Sequence, residues 1–400
     1  MNNILVIGGN HHNTLGMVRS LGSKGLLSEV CLIADPSSKI VVKSKYILQT
    51  MIFSTEELLI AYLKEKREKN SSFKTVVLIG SDHVAAVVDD NYEDLKDNYV
   101  VFNAKGNLSQ LMNKETMCQM AVEIGFNVPR HVVVNLDKAH QDTILNCKSI
   151  DYPCITKAIS SIEGSKTDTT ICKNENDLKL FLSKPDLCRT IQIEQFIEKE
   201  FEYQFIGLSL DDGKYVLIPG HSQINRPKGI QNTFFFPYVV NDDSFSNTLK
   251  KAKDFILRTG YEGIFSMEFI RGKDGKDYFL EINYRNDGNA ICVTDAGFNL
   301  PYIWYLFATG GNFRKEINSC NFKPVYYCPE IVYTMEYAYG EVTLIQYLKD
   351  LFRASSFTNY YKGDSPWYYW PKFILFICYW SYQKVLFKFG IKQAPKESIG

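Results

Sequence analysis

The chain has 400 residues and a mass of 45.9 kDa, enough for more than one hydrophobic core. Apolar residues make up 45% and charged residues 22% of the sequence, with 45 basic and 45 acidic side chains, which excludes disordered, collagen-like and coiled-coil classes. A formal charge of zero gives no overall attraction to a polyanion, and no local basic patch compensates for that. We therefore expect a small-molecule partner and no nucleic acid.

The start of the chain and its cysteines indicate a compartment. The ten cysteines occur at no C-x-x-C spacing, which disfavours a zinc ribbon or a small disulfide scaffold. The segment after Met1 has neither the basic part nor the long apolar part of a secretory signal peptide. We therefore expect the chain to begin directly in a strand and to work in the reducing cytoplasm.

Strand and helix patterns alternate over residues 1–108, which predicts a parallel α/β sheet. Gly8-Gly9 follows the first strand and suggests a dinucleotide site, but the next glycine is Gly16, so the G-x-G-x-x-G motif is absent and NAD or FAD binding is disfavoured. His11-His12 also follow this strand. They either line a substrate pocket at the carboxyl end of the sheet or have no role.

A helix is predicted at residues 113–125, because Asn113 is a suitable N-cap and Gly125 a suitable stop. Residues 131–208 then show mainly strand patterns, interrupted by one helical pattern near 175–182. A further helix is predicted over 247–259, with Gly260 ending it.

The segment 263–283 predicts a β-hairpin, because Asp274-Gly275 is a strong signal for a two-residue turn. Counting back along both strands from that turn places Glu268 directly opposite Glu281, with Cβ atoms about 4.5–5.5 Å apart. Alternation assigns one face to the core and the other to polar residues. The predicted core face carries Phe265, Met267, Phe269, Tyr278, Leu280 and Ile282; the polar face carries Ser266, Glu268, Glu281 and Asn283.

Two facing carboxylates destabilise a hairpin unless a raised pKa, a nearby arginine or a divalent cation offsets their repulsion. Asn283 adds an oxygen ligand on the same face, and Arg285 continues the alternation. The competing interpretation is a solvent-exposed face on which the glutamates splay apart. A longer turn would also move Glu268 away from its partner.

Met267-Glu268-Phe269, followed by Leu280-Glu281-Ile282-Asn283-Tyr284-Arg285, resembles the magnesium-binding signature of the ATP-grasp superfamily. The resemblance implies that Glu268, Glu281 and Asn283 hold Mg²⁺, or Mn²⁺ in its place, on ATP. It also implies a pre-ATP-grasp α/β domain at 1–108 and an ATP-grasp domain at 109–325, with a lid at about 131–194 and a central antiparallel sheet. The pattern of the superfamily stops beyond residue 325, and residues 326–400 are expected to form a C-terminal aromatic helical extension.

The other motifs of the superfamily follow in its order, although a single lysine on a strand is more often merely solvated. The resemblance assigns phosphate contacts to Lys114 and Lys157, and closure over the phosphates to the loop 160–167, which includes Ser165 but only one glycine, Gly164. The positions implied to meet adenine are Glu194, Gln195 and Ile197, and Glu202 is implied to bind the ribose hydroxyls.

Residues 284–288 resemble carbamoyl-phosphate-synthase-like carboxylate–amine ligases, a group that includes D-aspartate ligases. That resemblance implies formation of an acyl phosphate and then of an amide, with Lys114, Lys157 and Arg285 neutralising the transferred phosphoryl group. One substrate is expected to be an amino acid. Arg226, within the polar run 221–226, is expected either to clamp a substrate carboxylate or to lie in a surface turn. A non-catalytic ATP-binding module that acts through a partner is the alternative.

The C-terminal part combines a helical pattern at 341–353 with the aromatic run Pro366–Gly390. Its uncharged core, Phe373–Gln383, is shorter than the roughly 20 apolar residues of a spanning helix. Flanking lysines and many Trp and Tyr residues are typical of a helix lying on an anionic membrane, which here would be the inner face of the membrane. The alternative is a helix packed on the catalytic core or on a second subunit of a homodimer. The flanking lysines are Lys372, Lys384, Lys388 and Lys392.

Overall fold

A computed structural model describes residues 3–33, 40–66, 74–136, 150–158, 169–184, 187, 190–224, 233–238, 245–358, 363–389 and 391. The helices are α1 (His12–Gly22), α2 (Glu56–Glu65), α3 (Asp82–Asp90), α4 (Tyr92–Leu95), α5 (Leu108–Leu111), α6 (Lys114–Ile124), α7 (Glu175–Leu182), α8 (Ser246–Thr259), α9 (Ala290–Asp295), α10 (Leu300–Ala308), α11 (Phe313–Ser319), α12 (Glu330–Tyr339), α13 (Leu344–Arg353) and α14 (Pro366–Lys388), with a 3₁₀ turn at Val41–Lys43. The strands are β1 (Ile4–Gly9), β2 (Ser28–Ile33), β3 (Ile47–Phe53), β4 (Thr75–Ile79), β5 (Tyr99–Val100), β6 (His131–Asn135), β7 (Cys154–Ala158), β8 (Thr170–Cys172), β9 (Thr190–Gln195), β10 (Lys199–Leu210), β11 (Tyr215–Leu217), β12 (Gly220–Ile224), β13 (Thr233–Pro237), β14 (Gly263–Gly272), β15 (Asp277–Asn283), β16 (Val325–Cys328) and β17 (Ser356–Phe357).

The first domain contains a parallel sheet in the order β3-β2-β1-β4-β5. Its central strands β1 and β4 are runs of buried aliphatic residues, as expected for parallel strands covered on both faces. Because all five strands run the same way, the segments after β1 and β4 meet at one edge of the sheet. The predicted parallel α/β sheet is confirmed.

A four-stranded antiparallel sheet in the order β6-β9-β7-β8 forms a separate layer. Its apolar side chains pack with those of α7 into a small core of their own, apart from the main one. This unit occupies the region in which a lid is predicted, and it carries Lys157 on β7 and Glu194 on β9.

The largest sheet has the order β15-β14-β10-β12-β13-β16-β17, with β11 added on β10. One face is an aromatic core that includes Tyr203, Phe205 and Phe269, all fully buried. The register places Gln204, Glu268 and Glu281 side by side on the opposite face. The fold thus presents a row of polar side chains across three neighbouring strands.

The hairpin of β14 and β15 confirms the pairing of Glu268 with Glu281, but its turn is longer than predicted. Gly272 N donates to Lys276 O, so the turn contains three residues between them. The pairing shifts by one position at Phe269, which lies opposite Phe279, and the bulge left at Leu280 restores the alignment of the glutamates. Phe279 therefore joins the core in place of Leu280, contrary to the predicted alternation.

The C-terminal segment is joined closely to the rest of the molecule. The predicted boundary between residues 325 and 326 falls inside β16, which pairs with β13 in the large sheet. Further on, Asp364 forms a buried ion pair with Arg19 of α1, and the Tyr46 hydroxyl donates to Gly363 O. Residues on both sides of that boundary therefore contribute to one packed body.

Candidate active site

The facing glutamates form the centre of the site. Glu268 Oε1 accepts hydrogen bonds from Gln204 Nε2 at 3.1 Å and from Asn283 Nδ2 at 3.4 Å. Asn289 in turn donates to Gln204 Oε1 at 3.1 Å. Neighbouring strands and the segment after β15 thus hold the carboxylate of Glu268 in a fixed position beside Glu281.

The electrostatics of this pair favour an added cation. Burial raises the pKa of Glu268 to about 8, with the charges of Glu281 and Asp287 adding to the rise and Arg285 and Gln204 opposing it. A carboxyl group in this state keeps a proton near neutral pH unless a positive ion takes the proton's place.

Lys114 approaches the pair from the first position of α6. Asn113 caps this helix by accepting from the Glu115 and Thr116 amides, and Gly125 ends it with φ +91°, as predicted. Because the cap fixes the helix start, Lys114 Nζ lies 3.9 Å from Glu281 Oε2. Its ammonium group is mostly shielded from solvent, with 13% of the side chain exposed.

Lys157 approaches from the sheet of β6 to β9 and forms an ion pair with Glu194. Gln192 Nε2 donates to the other oxygen of Glu194 at 3.0 Å. Burial lowers the pKa of Lys157, but Glu194 first and then Glu281 and Glu268 raise it more, so the net pKa is above its ordinary value. Lys157 is therefore protonated near neutral pH, and the two carboxylates attract its ammonium group.

Arg285 joins the first domain to the large sheet. Its guanidinium donates to Asp82 Oδ2 at 3.0 Å and to Asn283 Oδ1 at 3.3 Å, and Asp287 Oδ2 lies 3.6 Å away. Asp82 and Asp287 are functional candidates that the sequence reasoning missed. For Asp82 a signal existed, since it directly follows the carboxyl end of the parallel strand β4.

The histidine pair lies at this same edge. His11 caps α1 by accepting from the Asn13 amide, and a side chain at Gly288 would meet the His12 ring at 2.7 Å. Both rings face solvent, yet surrounding protein desolvates them. Burial lowers the pKa of His11 to about 4, with His12 and Arg285 adding to the effect. His11 is therefore neutral near pH 7, with His12 and Arg285 as its neighbours.

The positions expected to contact the nucleoside lie along one border of the site. Gln195 ends β9, and its backbone N–H donates to Arg130 O at 2.7 Å. Ile197 lies between β9 and β10, beside Gly272. Glu202 sits near the start of β10, where it pairs with Lys199 at 2.5 Å. Their roles toward ATP stay predictions.

Two of the predicted site residues, Ser165 and Arg226, lie outside the described residues. The structure does place His221, which begins the polar run that contains Arg226. The imidazole of His221 is buried among aromatic rings, and its centroid lies 4.3 Å from the centroid of the Phe245 ring. His221 therefore belongs to the core face of β12 and not to a substrate pocket, because alternation along the strand turns it away from Ser222 and Gln204.

A hard divalent cation fits the donors that this site offers. Glu268, Glu281 and Asn283 supply only oxygen ligands, and burial together with the charge of Glu281 raises the pKa of Glu268. The described part of the chain has no cluster of three or more His, Cys, Asp or Glu residues suited to a metal. Two carboxylates and an amide match Mg²⁺, which usually completes its coordination with water and substrate phosphates.

Comparison with known families identifies the class of this domain. Residues 119–290 match the ATP-grasp domain family, as the resemblance of the two glutamate motifs predicted. The matched segment includes Lys157, Glu194, Glu268, Glu281 and Asn283.

One curated relative is a formate-dependent phosphoribosylglycinamide formyltransferase from Ignicoccus hospitalis, which is 30% identical over 236 residues. The alignment covers 54% of this chain and 55% of that protein, so the chain spans about half the length of the curated relative that it matches.

Solved structures agree with the fold. An L-amino acid ligase from Bacillus licheniformis superposes with a TM-score of 0.60 at 14% identity, covering 81% of this chain and 78% of the other. An N5-carboxyaminoimidazole synthetase from Staphylococcus aureus complexed with ADP gives a TM-score of 0.61 at 17% identity, covering 81% and 82%. The chain therefore shares its mixed α/β fold with these structures.

Proposed function

We propose that this chain is an ATP-dependent ligase that joins a carboxylate to an amine through an acyl phosphate. One observation carries the proposal: Glu268 and Glu281 face each other in register while Lys114, Lys157 and Arg285 approach them from three different parts of the chain. A binding pocket for an uncharged ligand has no need of three cations around two carboxylates. Transfer of a phosphoryl group needs such an arrangement.

Glu268, Glu281 and Asn283 would hold Mg²⁺, which supplies charge neutralisation between the β- and γ-phosphates of ATP. Lys114 and Lys157 would contact the phosphate oxygens directly. Glu194 and Gln192 hold Lys157 in place, so its ammonium group needs little reorganisation when ATP arrives. Gln195, Ile197 and Glu202 would bind the nucleoside along the neighbouring border.

In the first step an oxygen of the substrate carboxylate attacks the γ-phosphorus, and the bond from that phosphorus to the β–γ bridging oxygen breaks. The products are an acyl phosphate and ADP. In the second step the amine nitrogen attacks the acyl carbon, the C–O bond to phosphate breaks, and the nitrogen loses a proton. No side-chain nucleophile is required, because positioning and charge neutralisation supply the catalysis.

The substrates would enter between the first domain and Arg285. Arg285, Asp82, His11 and His12 meet where the carboxyl ends of β1 and β4 face the large sheet, the edge at which α/β sheets bind ligands. Arg285 is 17% exposed, so a substrate carboxylate can reach it. An amino acid fits as one substrate, because the site combines a cation for its carboxylate with carboxylates for its amine. The use of ATP favours a cytoplasmic location.

Phosphate release with a panel of amino and hydroxy acids tests the proposal. We expect MgATP-dependent turnover for at least one carboxylate and amine pair, and a loss of about 10²-fold or more in Glu281→Gln, because one ligand of the proposed metal is lost. Glu198→Gln is the matched control, since Glu198 is exposed and forms an ion pair with Lys273 of the hairpin.

Two outcomes would contradict the proposal. ATP binding without turnover for any pair would favour a nucleotide-binding module that acts through a partner. Wild-type phosphate release in Glu281→Gln would show that the chemistry takes place elsewhere.

A further inference from the structure

The long C-terminal helix α14 has one packed side. Tyr369 is buried against Arg19, 4.7 Å from its guanidinium carbon to the ring centroid, and donates to Ile40 O at 2.7 Å. Farther along, Trp380 packs edge-on against Tyr339 of α12 at 5.4 Å between ring centroids, and Gln383 is buried. The helix is therefore fixed to the body of the protein along its length.

The opposite side of α14 is a continuous apolar stripe in solvent. Trp367 is 92% exposed and Leu375 is 68% exposed. Most of the exposed positions recur every three or four residues, which places them on one helical face. At the start of the helix they line an open cleft of ≈ 600 Å³ with almost no polar surface. The exposed apolar members of this outer stripe are Trp367, Trp370, Ile374, Leu375, Tyr379, Tyr382, Val385 and Phe389.

Helix α13, which also packs on α12, repeats this arrangement. Its exposed residues include Ile345 at 81% and Phe352 at 87%. Its packed side is buried in a small aromatic cluster and also makes polar contacts, including a Tyr347 hydroxyl at 2.8 Å from that of Thr334. An amphipathic helix usually turns its apolar side inward, so two neighbouring helices that also expose large apolar residues indicate a surface that another apolar phase covers.

The charges on α14 favour an anionic lipid surface over a second copy of this chain. The helix contains no acidic residue, and its exposed lysines are Lys372 and Lys388, whereas Lys384 donates to Tyr337 O of α12. In a symmetric pairing of two such helices the lysines would have no carboxylate on the partner helix to meet. Lipid phosphates would supply the missing negative charge, and Trp and Tyr are the residues that accumulate at the boundary of headgroups and acyl chains.

In the part of the chain that the structure describes, no helix has the length and apolar character needed to cross a bilayer. We propose that the outer stripe of α14 lies in the interface of an anionic membrane, with its tryptophans among the acyl chains and its lysines at the lipid phosphates. This inference does not depend on the proposed ligase activity. It adds a location to the protein, because the site between the first domain and Arg285 would then work beside a membrane surface.

Vesicle flotation of the full chain tests this. We expect the protein to float with vesicles of phosphatidylglycerol and phosphatidylcholine, and to do so much less with phosphatidylcholine alone or at high salt. Trp367→Ser and Trp370→Ser should each lower the partition coefficient about tenfold, since each loses a buried aromatic contact with lipid. Lys372→Gln and Lys388→Gln should each lower it about fivefold on the anionic vesicles.

Leu180→Ser is the matched control, because Leu180 is an apolar residue 72% exposed on α7 and should leave flotation unchanged. A cooperative thermal unfolding transition close to that of the wild type shows that each variant is folded. Wild-type protein that stays unbound, or tryptophan variants that float like the wild type, would overturn the proposal. So would a dimer in light scattering that the same variants dissociate in the absence of lipid.

Discussion

Two arginine–aspartate pairs connect the first domain with the remainder of the chain, and they differ in burial and in their other hydrogen-bond partners. Arg19 and Asp364 are 2.9 Å apart and are 1% and 0% exposed. Arg285 and Asp82 are 3.0 Å apart and are 17% and 20% exposed. The first pair is sealed in protein, whereas the second opens into the cleft beside the paired glutamates.

The partners of each arginine explain the difference. Arg19 also donates to Thr358 O at 2.8 Å, and Asp364 accepts from the Lys45 amide at 2.9 Å, so both charges are satisfied by groups that no ligand displaces. The other partners of Arg285 are Asn283 and Asp287, which belong to the site itself. A buried, saturated pair is structural, and an accessible pair among catalytic candidates is available for substrate.

The largest effect is expected from breaking the sealed pair. Arg19→Ala leaves Asp364 buried without its cation, which we expect to lower the free energy of unfolding by about 3–5 kcal/mol. Chemical denaturation would measure this, with turnover per folded molecule unchanged. The double variant Arg19→Met with Asp364→Leu should recover part of the loss, because it leaves no uncompensated charge. An Arg19→Ala protein of wild-type stability would contradict the comparison.

Arg285→Ala should have the opposite effect, with a large loss of activity and little loss of stability. We expect phosphate release to fall about 10²–10³-fold, because a preorganised cation at the transferring group is lost. Asp82 is accessible to water, so its loss of a partner should cost less than about 1 kcal/mol of stability. Steady-state kinetics together with thermal unfolding check both parts. A large fall in stability with normal kcat would assign Arg285 to structure instead.

A smaller effect concerns Asp295, which lies near Arg19 at the end of α9. Burial raises its pKa to about 6, while the nearby Ser356 hydroxyl and the charges of Lys323 and Arg19 oppose the rise. Since the folded state holds the proton more tightly than the unfolded chain does, stability should fall as the pH rises from about 4 to 6. The loss should be roughly 1–2 kcal/mol.

Denaturation of Asp295→Asn across this pH range checks the sign of the pH dependence. The amide has no proton to release, so the curve of stability against pH should flatten. A wild-type protein whose stability rises steadily over the same window, with an identical curve for the variant, would show that Asp295 does not contribute in this way.

Local signals in the sequence were sufficient for much of the site. The Asn113 cap and the Gly125 stop located Lys114 on its helix. The Asp274-Gly275 turn aligned Glu268 with Glu281. The predicted alignment of the two glutamates was right, although the predicted turn was one residue shorter than the observed one. The bulge at Leu280 offsets the extra residue in the turn. Alternation in a sequence does not reveal a bulge, so this correction needed the structure.

Contacts between distant parts of the chain were beyond that reasoning. Asp82 meets Arg285 across 203 positions, and Gln204 meets Glu268 across 64. His221 has a polar side chain, yet the fold buries it among aromatic rings. The outer stripe of α14 was visible as an aromatic run. Which side of α14 packs on the rest of the protein depends on Tyr339 of α12 and Arg19 of α1, and neither residue lies near α14 in sequence.

Transfer of oxygen from carboxylate to phosphate tests the proposed ligase chemistry most directly. With a substrate pair that supports turnover, the carboxylate is labelled with ¹⁸O and the released phosphate is analysed by mass spectrometry. Attack of the carboxylate on the γ-phosphorus predicts one ¹⁸O atom in each phosphate. Unlabelled phosphate, with amide still formed, would contradict an acyl phosphate and with it the assignment of Glu268, Glu281 and Arg285.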